Sequence, residues 1–179
     1  MMLMEYNELT TLFWDMTAAL VGDMVRKPAA KYIRYKYPVD GKPDWRITDN
    51  IVFLNLSERA DPYGQQNDSV YKTEGGTVIR RRGRTRVWDV LFTAYGPSAY
   101  EMVNKIRDDV FTEPVKAMLS KHAVFLIPDL PTCRQIPELY AGKWWARWDL
   151  TLHFNEWYES PPEDVGHVET VELTDGAVR

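Results

Sequence analysis

The chain has one cysteine among 179 residues, Cys133, so no internal disulfide can form. A secreted, disulfide-stapled framework is therefore excluded. Cys133 sits in LPTCRQIP with no histidine beside it in sequence, and it reads as a buried or neutral thiol rather than a nucleophile. Histidine is almost as scarce: His122, His153 and His167. No two of them stand two or four apart and no cysteine cluster accompanies them, so no zinc site is expected. His153 and Glu156 keep a spacing of three, which on a strand points them to opposite faces, where they cannot share a metal. The sequence holds no G-x-S-x-G elbow and no G-x-x-x-x-G-K-[ST] phosphate loop. Its carboxylate pairs, Asp108-Asp109 and Glu163-Asp164, read as solvated helix-end and linker charges. No catalytic residue, no metal and no cofactor is expected, and the chain does not read as an enzyme.

Long apolar runs are missing too. None approaches the ~20 residues that cross a bilayer, so no membrane partner is expected. The opening MMLMEYNELTTLFWDM has no basic n-region and carries Glu5, Glu8 and Asp15, so it does not read as a signal peptide, and folding in the cytoplasm is expected. Net charge is −4, so bulk electrostatics do not draw the protein to nucleic acid. One run opposes that balance: Arg80, Arg81, Arg82 and Arg84, with Gly83 between. The run is placed at a hairpin tip or strand entry. Three readings apply there: a solvated charge patch, a phosphate contact through arginine forks, or an interface or pore-rim loop facing an acidic partner.

What the sequence has in quantity is aromatic residues, 13% of the chain, with 7 Trp and 10 Tyr. Such residues fill β-rich cores and the centres of interfaces. Residues 5–21 repeat with helical spacing through Leu9, Leu12, Phe13, Met16, Ala19 and Leu20, and Gly22 stops them. Residues 31–38, KYIRYKYP, alternate as a strand with a wet face carrying Tyr32, Arg34 and Lys36. Residues 50–58, NIVFLNLSE, form a second strand, and residues 59–70 a polar loop. A strand near 69–73 and the Gly75-Gly76 turn lead into a long strand ending at Tyr95. There Trp88, Val90, Phe92 and Ala94 make the better core face. Gly96-Pro97 ends that strand. Ser98 and Glu101 then fit a capping box, followed by a stripe of Ala99, Val103, Ile106 and Val110. Val115, Met118 and Leu119 suggest a second short helix, and AVFLIP at 123–128 a short buried strand. The proline-rich stretch to Leu139 reads as irregular. Residues 143–158, KWWARWDLTLHFNEWY, alternate longest of all, with Trp144, Ala146, Trp148, Leu150, Leu152 and Phe154 on the predicted buried face. A strand of such length hints at pairing across subunits. Ser160-Pro161-Pro162 signals a linker, and Val168 to Leu173 a terminal β-arm.

The expected fold is α+β: a mixed or mostly antiparallel sheet with long strands, flanked by an N-terminal and a central helix. One domain spans 1–160 and a C-terminal arm or tail spans 161–179.

The order of these segments carries a resemblance. An N-terminal amphipathic helix precedes RYKYPVDGKPDW (34–45), IVFL (51–54) and the DPYGQQND loop (61–68). TRVWDVLFTAYGPSA (85–99) then runs into a helix. Over about residues 5–158 the chain resembles the phage neck or tail-terminator proteins, also described as tail-completion or head–tail joining proteins. The resemblance implies α+β subunits assembled as a ring, a homo-oligomer expected to be a hexamer. The ring would cap the tail tube and meet the head-completion or connector protein. DNA would pass through the lumen without specific binding, and the place of action would be the virion neck after assembly in the host cytoplasm. It implies no cofactor. The alternative from another class is a nucleic-acid-binding accessory protein that uses Arg80–Arg84 as a basic loop.

Overall fold

The computed structural model describes residues 4–35, 42–62, 64–129 and 131–165. Helix α1, Tyr6–Val21, begins where the Glu8 carboxylate accepts from the Glu5 amide at 2.9 Å, which satisfies one of the orphan donors of the first turn. Its inner face buries Leu9, Leu12, Phe13, Met16 and Leu20. Ala19, expected in that stripe, turns to solvent. Thr17 takes its place, donating its hydroxyl to the Phe13 carbonyl at 2.7 Å, so the buried polar atom is satisfied within the helix.

The helix lies on a mixed, mainly antiparallel sheet. Strands β1 (Ile33–Arg34), β2 (Ile51–Arg59), β3 (Asp68–Glu74) and β4 (Thr77–Tyr95) come first. Later strands are β5 (Val124–Leu126), β6 (Arg134–Gln135), β7 (Glu138–Tyr140), β8 (Lys143–Trp145), β9 (Arg147–Glu159) and β10 (Glu163–Asp164). The main order is β1-β2-β4-β9-β5, with β1 parallel to β2 and the other pairs antiparallel. The architecture is α+β, as the sequence pattern predicts.

Period-two patterning decides which face is covered. Trp88, Val90, Phe92 and Ala94 of β4 are buried on one face. Their register partners Leu54 and Leu56 of β2 and Leu150, Leu152 and Phe154 of β9 continue it. Phe13 reaches Phe154 with ring centroids 4.8 Å apart, and each such buried side chain contributes about 1.5–3 kcal/mol. Helix α2, Ala99–Asp109, adds Met102, Val103 and Ile106 to the same layer, and α3, Glu113–Ser120, adds Val115 and Leu119.

The joint between β4 and α2 differs from the expected capping box. The Ser98 side chain caps nothing, and its backbone sits at φ −106°, ψ 28°. The Ser98 amide instead donates to Asn50 Oδ1 at 3.0 Å, which ties the helix start to the start of β2. Gly96 allows this approach. Its φ is +106°, and a Cβ there would lie 2.4 Å from the Asp49 carbonyl oxygen.

Three further expectations are corrected. The strand at 31–38 is only β1 among the described residues, and Tyr32 is buried rather than wet, its carbonyl accepting from the Val52 amide at 2.8 Å. The stretch to Leu139, expected to be irregular, carries β6 and the first half of a hairpin. The long strand from 143 is broken at Ala146. Strand β8 leaves the main sheet and pairs with β7, so Trp144 is 66% exposed instead of lying in the core. The reason is aromatic. Trp145 turns in to meet Trp45 at 6.0 Å, Tyr140 at 6.3 Å and Tyr95 at 6.5 Å, and the face that holds Trp145 cannot also bury Trp144.

Candidate assembly interface

Strand β4 is the longest element, 19 residues. Its second half is the centre of the body, paired with β2 from Val87 to Tyr95. Its first half outruns the helices. There β3 takes the position of β2, from Asp68 opposite Gly83 to Glu74 opposite Thr77. On the other side β10 takes the position of β9, with Glu163 opposite Arg80 and Asp164 opposite Ile79. The segment after Ser160-Pro161-Pro162, expected to be a linker, is thus a third strand of this arm. Seven residues at about 3.3 Å each carry the arm roughly 20 Å past the body. Every residue of β3 is exposed, including Val70 and Tyr71, so neither face of the arm has a core of its own.

Of the two placements expected for the arginines, hairpin tip or strand entry, they take the second: they lie within β4, and the tip itself is Gly75-Gly76 rather than an arginine loop. Arg80, Arg82, Arg84 and Arg86 share the face that is apolar farther along the strand, so the core face becomes a row of guanidinium groups. Arg86 meets Glu156 at 2.7 Å with the carboxylate 2% exposed, and the Trp88 indole N–H donates to the same carboxylate at 2.8 Å. Arg84 lies over the Tyr158 ring at 5.7 Å. Arg82 and Arg80 both donate to Glu163, at 2.7 and 2.6 Å. The hydrogen bond from Arg80 holds the Glu163 carboxyl below the usual carboxylate range, and the same bond raises Arg80. Arg81 points to the opposite face, 3.8 Å from Glu74. Of the four arginines singled out in the sequence, the structure therefore gathers Arg80 and Arg82 on one carboxylate and sends Arg81 away. Glu163 and Glu156 were missed. Alternation would have found Glu156, since its parity on β9 matches Phe154.

A family model for phage neck terminator proteins matches residues 7–178, nearly the entire chain. The chain belongs to the phage neck terminator family. None of the curated proteins compared with it matches.

The family is a structural one, so this neck terminator is a component of the neck of a phage particle and works in contact with other head and tail proteins. The rest of the neck terminator's surface carries a second feature, the β7–β8 hairpin. Trp145 anchors its inner side, while Leu139 and Trp144, opposite each other, are bare on its outer side. The sheet face away from the helices holds a polar cluster. His153 Nδ1 is 2.8 Å from Asp89 Oδ1, and one Arg59 nitrogen lies 2.9 and 3.1 Å from the two ring nitrogens. Arg59 also pairs with Asp89 at 2.9 Å, so one carboxylate bridges the guanidinium and the imidazole, and Asp129 Oδ2 lies 3.4 Å from Nε2 of a ring only 8% exposed. His153 and Glu156 do lie on opposite faces. Among the described residues no group of three or more His, Cys, Asp or Glu could hold a metal ion, and no helix is long and apolar enough to cross a membrane. Burial raises the Cys133 thiol above its ordinary value, opposite to what a reactive thiolate needs.

Proposed function

We propose that this neck terminator assembles into a closed ring, a hexamer, that ends the tail tube and joins it to the head-completion or connector protein. DNA passes through the lumen without specific binding, and the ring assembles in the host cytoplasm before entering the virion. The observation that carries the reading is the arm: three strands that leave the body with no core of their own, in a chain whose family works in the neck. Strands so placed are stable when something covers them. A single chain with distinct contact patches makes head-to-tail contacts, and those that close give rings.

The nucleic-acid reading draws less support from the geometry, because the forks of Arg80 and Arg82 already bind Glu163. Light scattering and negative-stain imaging, with and without purified tail tubes, test the proposal. Rings in either condition support it. A monomer in both would count against it, and salt-sensitive duplex binding lost in Arg81→Ala/Arg82→Ala would favour the alternative.

A further inference from the structure

Strand β5 ends the main sheet order, so one of its edges faces away from β9. The Ile127 amide donates to the His153 carbonyl at 2.8 Å, and the Trp157 amide to the Ala123 carbonyl at 3.0 Å. Backbone groups of an antiparallel strand point alternately to its two edges, so those of Val124 and Leu126 face outward. The edge is three apolar residues, Val124, Phe125 and Leu126, with no proline or charge to guard it, and Phe125 is 51% exposed.

A groove of about 640 Å³ lies beside it. All three β5 residues line the groove although their side chains alternate between the two faces, so it opens on the edge itself. Phe111, with Ala117 and Leu119 of α3, completes the apolar lining. The charges there answer each other, since Lys116 donates to Glu113 at 2.9 Å. An open strand edge beside an apolar, charge-balanced groove fits an added strand that presents alternate apolar side chains.

The chain carries such a pattern. Residues 168–173, VETVEL, place Val171 and Leu173 at a spacing of two and contain no proline. The described residues end at Val165, whose amide donates to the Val78 carbonyl at 3.3 Å. Strand β10 runs antiparallel to β4, so the chain there heads toward the Gly75-Gly76 tip and away from β5. Strand β5 stands level with Arg86, through Val124 opposite Glu156 and Glu156 opposite Arg86. From Val78 to Arg86 the ladder covers about 26 Å. Val171 lies at most about 22 Å of extended chain beyond Val165, with a reversal still to make. It cannot reach the β5 of its own subunit. We infer that residues 168–173 of one copy add a strand to the β5 edge of a second copy of this chain, with Val171 and Leu173 in the groove. The inference rests on the proposed self-assembly and names its interlocking element.

Two sets of variants test it in the full chain. In a Cys133→Ser background, Phe125→Cys and Glu172→Cys are made in separate preparations, mixed and mildly oxidised. With Val171 and Leu173 beside Val124 and Leu126, position 172 falls opposite position 125 whichever way the strand runs, within the about 7 Å that a disulfide allows between Cα atoms. Disulfide-linked dimers that form only in the mixture are expected. Next, Val171→Lys/Leu173→Lys is expected to weaken self-association at least about tenfold, because it sets two ammonium groups against an apolar groove. Unchanged thermal melts at low protein concentration verify folding. A bond closed within a single chain carrying both cysteines, or assembly that persists with neither cross-linking nor sensitivity to the lysines, overturns the strand exchange and leaves the ring standing. Protection of the Val124 and Leu126 amides from exchange that arises only with added tail tubes, and without a link between copies, overturns it in favour of a strand from the tube. A wild-type chain that stays monomeric, alone and on tail tubes, overturns both exchange and ring.

Discussion

Replacing Glu156 by leucine is the sharpest probe of how the body hands over to the arm. Glu156 is 2% exposed and accepts from Arg86 and from the Trp88 indole, at 2.7 and 2.8 Å. The change strands a guanidinium whose side chain is 11% exposed and leaves the indole N–H unpaired. Removing one partner of a buried pair costs about 3–5 kcal/mol, and the orphaned indole donor falls largely within that sum, so about 4 kcal/mol is expected. For a chain of this size that corresponds to a fall in Tm of roughly 8–16 °C. Urea unfolding followed by tryptophan fluorescence reads the loss as a lower midpoint at unchanged slope. The double variant Arg86→Met/Glu156→Leu removes both charges and should return to within about 1–2 kcal/mol of wild type, because a dry apolar pair replaces a buried ionic one at little net cost. A loss below about 1 kcal/mol in the single variant, or no recovery in the double, would refute the view that the core face continues into the arm through a buried, charge-balanced step.

The two adjacent tryptophans should behave oppositely. Trp145→Ala opens the Trp45–Tyr95–Tyr140 cluster and should cost about 2–4 kcal/mol, whereas Trp144→Ala, on a bare surface, should stay within about 0.5 kcal/mol in the unassembled chain; paired urea titrations decide this. Acid should release β10. Glu163 has a folded-state pKa below its unfolded value near ~4.3. Its contribution is therefore present above that value and is lost as pH falls through the lower folded one. The protection factor of the Val165 amide, which bonds the Val78 carbonyl, should be constant from neutrality to about pH 5 and drop below about pH 4. Equal protection at both ends would mean that the Arg80–Glu163–Arg82 contact does not hold the strand.

Much of the body was legible because its signals are local. The helical stripe through Leu9, Phe13 and Met16, the alternation from Trp88 to Ala94, and the Gly96-Pro97 break each follow from period and turn chemistry, and each stands in the fold. Errors arise where two local signals compete. The alternation from Trp144 to Phe154 is genuine as a pattern, but an aromatic cluster assembled from Trp45, Tyr95 and Tyr140 captures Trp145 and flips the phase. Ser98 and Glu101 have capping-box spacing, yet Asn50, distant in sequence, takes the Ser98 amide first. The arm was half visible. The Gly75-Gly76 turn and the strands on either side of it could be read, but the third strand could not. Prolines 161 and 162 look like a linker, and only the fold shows that Glu163 returns to Arg80 and Arg82. The terminal β-arm expected at Val168–Leu173 lies outside the described residues.

The central claim is that shape, completed by further copies of the same chain, is what this protein contributes to the phage neck. Mass measurement by light scattering, on the purified chain and on chain mixed with tail tubes, tests it most directly. The account predicts a single closed species of about six copies in at least one of the two conditions. A strict monomer in both would contradict it.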